Sequence, residues 1–318
     1  MYKNIKCVIW VTGGYGFIGK HLTSRLLLMD SVVCIINRNE TTISNLHKED
    51  IIIDKGTDTG RHIFELLKVT YGTPNSIYHL AASSSVANSY SDPYKSFVDT
   101  VDLTSILLEF IRTSLNINEV SFFITSSAAV YGNNYFGKIN EECTPSPFSN
   151  YGYHKLMSEL ICINYARSYG IKLIVFRLFS VYGDELRKQL IWDLCNKIYS
   201  NYSNLNLSGI GNEVRDWIHV SDVVNLIIEC SKFANENAQI INLGTGVGTT
   251  VKEIAQRVKD SFKSSVQIDF SGELRLGDPY SLVSDISMLN SLVSDYKFKK
   301  IDKGINEYVE WYLNSKRD

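Results

Sequence analysis

Tyr151 and Lys155 stand four residues apart in the stretch Tyr151-Gly-Tyr-His-Lys155, so on a helix they share one face. A phenol is a poor base near neutrality, but an ammonium beside it favours the ionised form and lowers its pKa. Such a pair can pass a proton to or from a substrate hydroxyl while a redox partner exchanges a hydride with the same carbon. Taken alone, Tyr-x-x-x-Lys is common by chance and an ordinary surface pair is the better reading, but its position after the fifth strand shifts the weight to chemistry. A second group is Thr125-Ser126-Ser127-Ala128-Ala129-Val130-Tyr131-Gly132. A hydroxyl at the carboxyl end of a strand can hydrogen-bond a substrate carbonyl or hydroxyl in a cleft, although Ser-Ser by itself reads as a turn. The third group is Thr12-Gly13-Gly14-Tyr15-Gly16-Phe17-Ile18-Gly19, which fits both G-x-x-G-x-x-G and G-x-G-x-x-G. Its small residues permit a tight turn and let the backbone approach a pyrophosphate, which meets the positive end of the following helix. The motif lies between an expected strand and an expected helix, and that context separates it from a plain glycine-rich turn.

Period and punctuation supply the elements that would position these groups. Strands are expected at Cys7 to Val11, Val32 to Ile36, Ile51 to Ile53, Ser76 to Leu80, Val120 to Thr125 and Leu173 to Arg177. Between them fall helical patterns at Phe17 to Met29, His62 to Thr70, Tyr94 to Thr113 and Tyr151 to Tyr169. Short apolar strands alternating with helices imply a parallel sheet covered on both faces. The expected fold class is therefore α/β, a doubly wound parallel sheet of the dinucleotide-binding type. Beyond Arg177 the alternation loosens. Gln239 to Leu243 reads as a strand returning to the sheet, and the remaining segments as a smaller C-terminal lobe.

Composition excludes several classes. The 318 residues carry a formal net charge of -2, so nothing draws the chain as a whole to nucleic acid or an anionic membrane. No apolar stretch has transmembrane length, and the apolar run after Lys6 breaks at Thr12-Gly13-Gly14, unlike a secretory signal. Six cysteines show no C-x-x-C pair or regular spacing, which points to buried free thiols ahead of the weaker alternatives of a metal site or a disulfide framework. The expectation is a reduced, soluble, cytoplasmic protein.

Further motifs recur along nearly the whole chain: His79-Leu-Ala81-Ala82, Arg177-Leu-Phe-Ser180-Val-Tyr-Gly183, Arg215-Asp-Trp-Ile-His-Val220, Asn242-Leu-Gly-Thr-Gly246 and Arg275-Leu-Gly277-Asp278. Together with the three groups above, in this order, they resemble the NAD-dependent epimerase/dehydratase family, the extended short-chain dehydrogenase/reductases. The resemblance implies a Rossmann domain over residues 1–178, with a return segment at about 222–246. Residues 179–221 and 247–318 would form a lobe that binds a nucleoside-diphosphate sugar. It implies Ser127, Tyr151 and Lys155 as catalytic trio. Gly13, Gly16, Phe17, Ile18, Gly19, Asn37, Arg38, Asp54, Ala81, Ala82 and Ser126, with Tyr151 and Lys155, would contact the cofactor. Arg215 and Arg275 would grip the diphosphate, matching planar forks to phosphate oxygens. Asp278 would contact the ribose, and Ser85 and Ser127 the sugar. It also implies a homodimer, built through the helices at Tyr94 to Thr113 and Tyr151 to Tyr169.

Departures from the family pattern sharpen the expectation. Dehydratases of the family carry Asp-Glu directly after the catalytic hydroxyl residue; here Ala128 and Ala129 stand there, so elimination of water lacks its acid and base. Asn37 stands where an acidic residue binds the ribose of NAD, and Arg38 follows. That change favours NADP(H) over NAD(H), although Arg38 could instead stack on the adenine of either. Thr100 and Ser180 occupy places where many relatives have asparagine. Two reactions compete. The first choice is reduction of the carbon-4 ketone of a nucleoside-diphosphate 4-keto-6-deoxyhexose, dTDP-linked first, towards surface-polysaccharide sugars. The alternative is carbon-4 epimerisation in the manner of UDP-glucose 4-epimerase. A non-catalytic cofactor sensor would have no need of the phenol–ammonium pair.

Overall fold

A computed structural model of the chain describes residues 7–29, 31–37, 51–54, 61–83, 85–133, 135, 137–200, 202–273 and 279–317. For 32, 34–37, 51–54 and 61–63 it describes the backbone alone. In chain order the elements begin β1 (Val8–Thr12), α1 (Phe17–Leu27), β2 (Val32–Asn37), β3 (Ile51–Asp54), α2 (Arg61–Tyr71) and β4 (Ser76–His79). There follow α3 (Val86–Ser91), α4 (Pro93–Phe97), α5 (Leu103–Ser114), β5 (Ser121–Ser127), β6 (Lys138–Ile139), α6 (Asn150–Tyr169) and β7 (Lys172–Leu178). Then come β8 (Ser180–Tyr182), α7 (Gln189–Tyr199), β9 (Asn204–Leu207), β10 (Val214–His219), α8 (Val220–Ser231) and β11 (Gln239–Leu243). The chain ends with β12 (Gly248–Thr250), α9 (Val251–Ser261), β13 (Gln267–Phe270), β14 (Ser281–Ser284), α10 (Ser287–Leu292) and α11 (Ile301–Asn314).

Two compact units result: Met1–Val130 with Ser149–Arg177 and Ile227–Ile241, and Tyr131–Phe148 with Leu178–Leu226 and Asn242–Asp318. The first is built on a seven-stranded sheet in the order β11-β7-β5-β4-β1-β2-β3. The pairs β3–β2, β2–β1, β1–β4 and β4–β5 are all parallel. From β1 the chain steps outward to β2 and β3, then crosses back to β4 on the other side of β1. That reversal opens a crevice at the carboxyl ends of β1 and β4, where a doubly wound sheet takes its ligand. Under the sheet, Trp10, Phe64 and Phe110 stack with ring centres 5.4 to 6.3 Å apart, packed among Ile77, Leu107, Ile111 and Phe122, all buried. Strands covered on both faces need such unbroken apolar runs, and β1 (Val-Ile-Trp-Val-Thr) supplies one.

The expected long helix from Tyr94 to Thr113 is interrupted. A π-turn at Val98–Asp102 separates α4 from α5, and α3 precedes them both. Hydroxyls explain the break: Thr104 Oγ1 donates to the Thr100 carbonyl at 2.6 Å, and Ser158 Oγ on α6 donates to the same oxygen at 3.2 Å. A widened turn leaves that carbonyl open to side chains, a device frequent at functional sites. The 20-residue helix α6 has clear stops, with Ser149 accepting from Gly152 N–H at its start and Gly170 in the left-handed region (φ 76°) at its end.

In the second unit, β12-β10-β14-β6 form a sheet to which β8 adds by pairing with β10, and β13 pairs with β9. Asp216 on β10 is fully buried and organises it. Its carboxylate accepts from Thr245 N–H and Oγ1 at 2.7 Å each, from Gly246 N–H at 2.9 Å and from Ser284 N–H at 3.1 Å, as well as from the Ser284 hydroxyl. Among the cysteines with described side chains, Cys162, Cys195 and Cys230 are buried free thiols while Cys7 and Cys143 are half-buried. Among the described residues no three His, Cys, Asp or Glu side chains converge to hold a metal, and no helix is long and apolar enough to cross a membrane.

Candidate active site

The glycine turn follows β1 and enters α1. Gly16 N–H bonds Gly13 O at 2.9 Å, and Gly13 takes a left-handed φ of 70°. A Cβ on Gly13 would lie 2.7 Å from Ala81 N, and one on Gly19 would collide with Gly13 O. Glycine is therefore required where β1, the turn and the stretch after β4 crowd together. Gly16 caps α1 without a side-chain acceptor, and the first turn, which contains Phe17, Ile18 and Gly19, carries no acidic residue. Its amides are left for an anion, favoured there by the helix dipole.

Ser127 ends β5, and Tyr151 and Lys155 lie on the first turns of α6. The start of α6 is fixed by Ser89, whose hydroxyl accepts from Tyr151 N–H and whose carbonyl accepts from Asn150 Nδ2, both at 3.0 Å. These contacts set the height of the phenol. Lys155 is buried, and its ammonium donates to the Thr125 carbonyl at 2.8 Å, with Nζ 6.0 Å from the centre of the Tyr151 ring. The structure thus brings the expected trio together. It reverses the expected electrostatics, however. Burial pushes the Tyr151 phenol up, and the nearby Ser127 hydroxyl offsets only part of that. Burial also pulls Lys155 down to about 8, against the carboxylate of Glu159 one turn further along the helix. Desolvation thus dominates at the phenol.

Lys155 lines a small hollow with His79, Ala81, Ala82, Thr100, Thr104, Thr125, Ser126 and Ser158. Ala81, Ala82 and Ser126 were expected beside a cofactor, and Ser126 Oγ is buried there without a hydrogen-bond partner. A buried hydroxyl left unsatisfied beside the crevice suits a group that arrives with a ligand. The anion-ready turn, the crowded glycines and this hollow lie at the carboxyl ends of adjacent strands. A dinucleotide fits them.

The other expected residues are less gathered. Ser85 serves as N-cap of α3, its hydroxyl accepting from Asn88 N–H at 3.3 Å. Arg215, on β10 in the second unit, donates from Nη1 to the carbonyl of Val214 at 2.9 Å. Asn37 and Asp54 end the paired strands β2 and β3 in register with each other, their side chains outside the description. Arg38, Arg275 and Asp278 lie outside the described residues.

Two features went unassigned in the sequence. His79, quoted only within its motif, is buried between Thr12 and Thr104, with Nδ1 2.7 Å from one hydroxyl oxygen and Nε2 3.0 Å from the other. Arg177 and Glu159 form a buried fork, Nη2 to Oε2 at 2.7 Å and Nε to Oε1 at 3.1 Å, which fastens α6 to β7 one turn beyond Lys155. The recurrence of Glu159 at i+4 from Lys155 was the available signal for the second; the threonines flanking His79 in space are remote in sequence and gave none.

Residues 9–244 match the family described as NAD dependent epimerase/dehydratase. UDP-glucose 4-epimerase of Mycoplasma genitalium is 29% identical over 98% of this chain and 98% of its own. UDP-glucuronic acid decarboxylase 1 of Danio rerio is 25% identical over 96% of this chain and 72% of its own. Among solved structures, UDP-glucose 4-epimerase of Thermotoga maritima with UDP-glucose superposes with a TM-score of 0.86 at 25% identity, over 97% of this chain and 99% of that one. These likenesses favour the epimerase alternative over the reductase first expected, and the preference for NADP(H) finds no support in a family described by NAD. With the doubly wound sheet, the glycine turn and the Ser127–Tyr151–Lys155 cluster in place, the match over most of its length makes this chain a member of the NAD-dependent epimerase/dehydratase family, enzymes that act on nucleotide sugars.

Proposed function

We propose that the chain is a nucleotide-sugar 4-epimerase that uses NAD, with UDP-hexoses as the substrates to try first. The observation that carries this reading is the trio Ser127, Tyr151 and Lys155 gathered at the end of β5, with Ala128 and Ala129 beside it. The site keeps a proton carrier and lacks the acid–base pair that elimination would need. Bound NAD would supply a reversible hydride acceptor. The chain's own groups do the rest. Ser127 hydrogen-bonds the sugar oxygen that gains or loses a proton, Tyr151 Oη takes and returns that proton, and the Lys155 ammonium stabilises the phenolate while it lasts. The turn at Gly13–Gly19 and the hollow at Ala81, Ala82 and Ser126 would hold the dinucleotide. Arg215, with Arg275 and Asp278, would hold the nucleoside diphosphate in a sugar-binding lobe formed by the second unit.

We also propose a homodimer. Tyr94, Phe97, Tyr153, Met157 and Leu160 are exposed, at 38 to 78% of their surface. Residues 153, 157 and 160 recur at helical spacing on α6, and the Phe97 ring packs edge-on against His154 of the same helix, 5.8 Å between centres. An apolar face of this kind suits a second copy of the chain. Sedimentation equilibrium giving a monomer across the micromolar range would rule it out.

The decisive assay offers UDP-galactose, UDP-glucose and their N-acetylated forms to the purified protein with NAD, and follows interconversion by anion exchange. In parallel, dTDP-4-keto-6-deoxyglucose is offered with NADPH or NADH and followed at the nicotinamide absorbance. Interconversion without net consumption of cofactor supports the epimerase. Stoichiometric loss of NADPH restores the reductase, the reading that Asn37-Arg38 favours.

A further inference from the structure

His79 closes β4, is 2% exposed, and has a defined hydrogen-bond direction. Thr104 Oγ1 gives its one proton to the Thr100 carbonyl at 2.6 Å, so towards His79 it accepts. The hydrogen of the imidazole therefore sits on Nε2, 3.0 Å from that oxygen, and Nδ1 is the acceptor. Thr12 Oγ1 donates to Nδ1 at 2.7 Å and itself accepts from Ala81 N–H at 3.3 Å. A one-way chain results, from Ala81 N–H through Thr12, His79 and Thr104 to the Thr100 carbonyl. Phe122 stacks on the ring, 5.9 Å between centres, and holds its plane.

Each end of this chain reaches a cofactor-facing edge. Thr12 directly precedes Gly13, the residue crowded against Ala81. Thr100, opened by the π-turn, accepts from Ser83 N–H at 3.1 Å on its hydroxyl and from Ser158 Oγ on its carbonyl, and Ser158 stands three residues after Lys155. We infer that His79 is a positioning residue for the dinucleotide: a neutral Nε2–H imidazole that sets the gap between the glycine turn after β1 and the Ala81–Ser83 stretch after β4. An imidazole suits the task because one rigid ring presents a donor and an acceptor on opposite sides. Burial, with the Lys155 charge adding to it, holds the ring neutral, down to about 3. The inference rests on the dinucleotide reading of the site.

The test compares Thr104→Val, which keeps the shape and removes the hydroxyl, with Thr104→Ser, which keeps the hydroxyl. NADH and NADPH binding is read by fluorescence titration and folding by thermal melting. Thr104→Val is expected to weaken binding by about tenfold and to lower the melting temperature, because the buried Nε2–H of His79 loses its acceptor, and Thr104→Ser to restore both. Valine binding within twofold of wild type, or serine as weak as valine, overturns the inference. Wild type that binds neither nucleotide refutes the dinucleotide reading itself. Nitrogen-15 spectra of histidine-labelled protein, assigned with His79→Gln, give an independent measure. A His79 signal in the Nε2–H form that does not titrate between pH 5 and 8 supports the assignment; an Nδ1–H form, or titration near 6.5, overturns it whether or not the valine variant folds.

Discussion

His79 should make the fold acid-sensitive in a pH range where carboxylates are still ionised. Its ordinary pKa of 6.5 is lowered to about 3 by burial and the Lys155 charge. Between those values the unfolded chain binds a proton that the folded chain refuses, so stability contributed by neutral His79 is full above pH 6.5 and is lost progressively as pH falls from 6.5 towards 3. At pH 5 the loss depends almost wholly on the unfolded pKa, because the folded ring is neutral whether its pKa is 3 or 4. One and a half pH units at about 1.4 kcal/mol each give about 2 kcal/mol lost between pH 7 and pH 5. His79→Gln cannot take up that proton. It will be less stable than wild type at pH 7, since glutamine fits the two threonine hydroxyls less rigidly, but its pH slope should be shallower by that amount. Urea unfolding at pH 7, 6 and 5, with linear extrapolation, measures both slopes while the other histidines cancel. Parallel slopes, agreeing to within about 0.5 kcal/mol at pH 5, would refute the claim that His79 is buried neutral.

Gly13→Ala should abolish saturable NADH binding and cost about 1–2 kcal/mol from its left-handed backbone alone, checked by titration and melting. Arg177→Met strands the buried Glu159 carboxylate and should destabilise the first unit by about 3–5 kcal/mol in urea, whereas a loss below 1 kcal/mol would mean that the fork is solvated. Asp216→Ala leaves the donors of Thr245, Gly246 and Ser284 without their acceptor and should cost about 3 kcal/mol or more, with limited proteolysis newly cutting near 245 or 284. Turnover should fall as pH rises through about 8, where Lys155 loses its proton, and a plateau extending beyond pH 9 would show that this charge is dispensable.

The sequence discloses elements well where burial is two-sided and punctuation sharp. The strand at Gln239–Leu243 falls where its apolar run places it, and α6 runs to Tyr169 because Gly170 follows. It fails at the helix expected from Tyr94 to Thr113. Hydrophobic period passes smoothly through Val98–Asp102, and only the approach of Thr104 and Ser158 hydroxyls to one carbonyl reveals the π-turn. The same limit applies to the site. Tyr151 and Lys155 are legible because a helix fixes their spacing and Ser127 because it ends a strand. Thr12, His79 and Thr104 lie in three separate segments and are joined only when β1 pairs with β4. Side-chain spacing carries information along one element, and the hydrogen bonds that tune this site run between elements.

The electrostatics of the trio illustrate that difference. In water a lysine holds its proton slightly more firmly than a tyrosine, and on spacing alone the ammonium should simply promote the phenolate. Lys155 is buried and Tyr151 partly so, and desolvation favours the neutral form of each, raising Tyr151 and lowering Lys155 to about 8. The order of proton affinities widens in reverse, so that Lys155 gives up its proton before Tyr151 does. The resting site therefore holds a neutral phenol beside an ammonium tied to the Thr125 carbonyl, with no standing phenolate–ammonium pair. A neutral phenol cannot take up a further proton, so on the proposed reading Tyr151 first releases its own to solvent, and the phenolate beside the Lys155 ammonium then takes the proton of the sugar hydroxyl. On that reading the trio rests un-ionised at its phenol, and proton transfer from the sugar waits on formation of the phenolate.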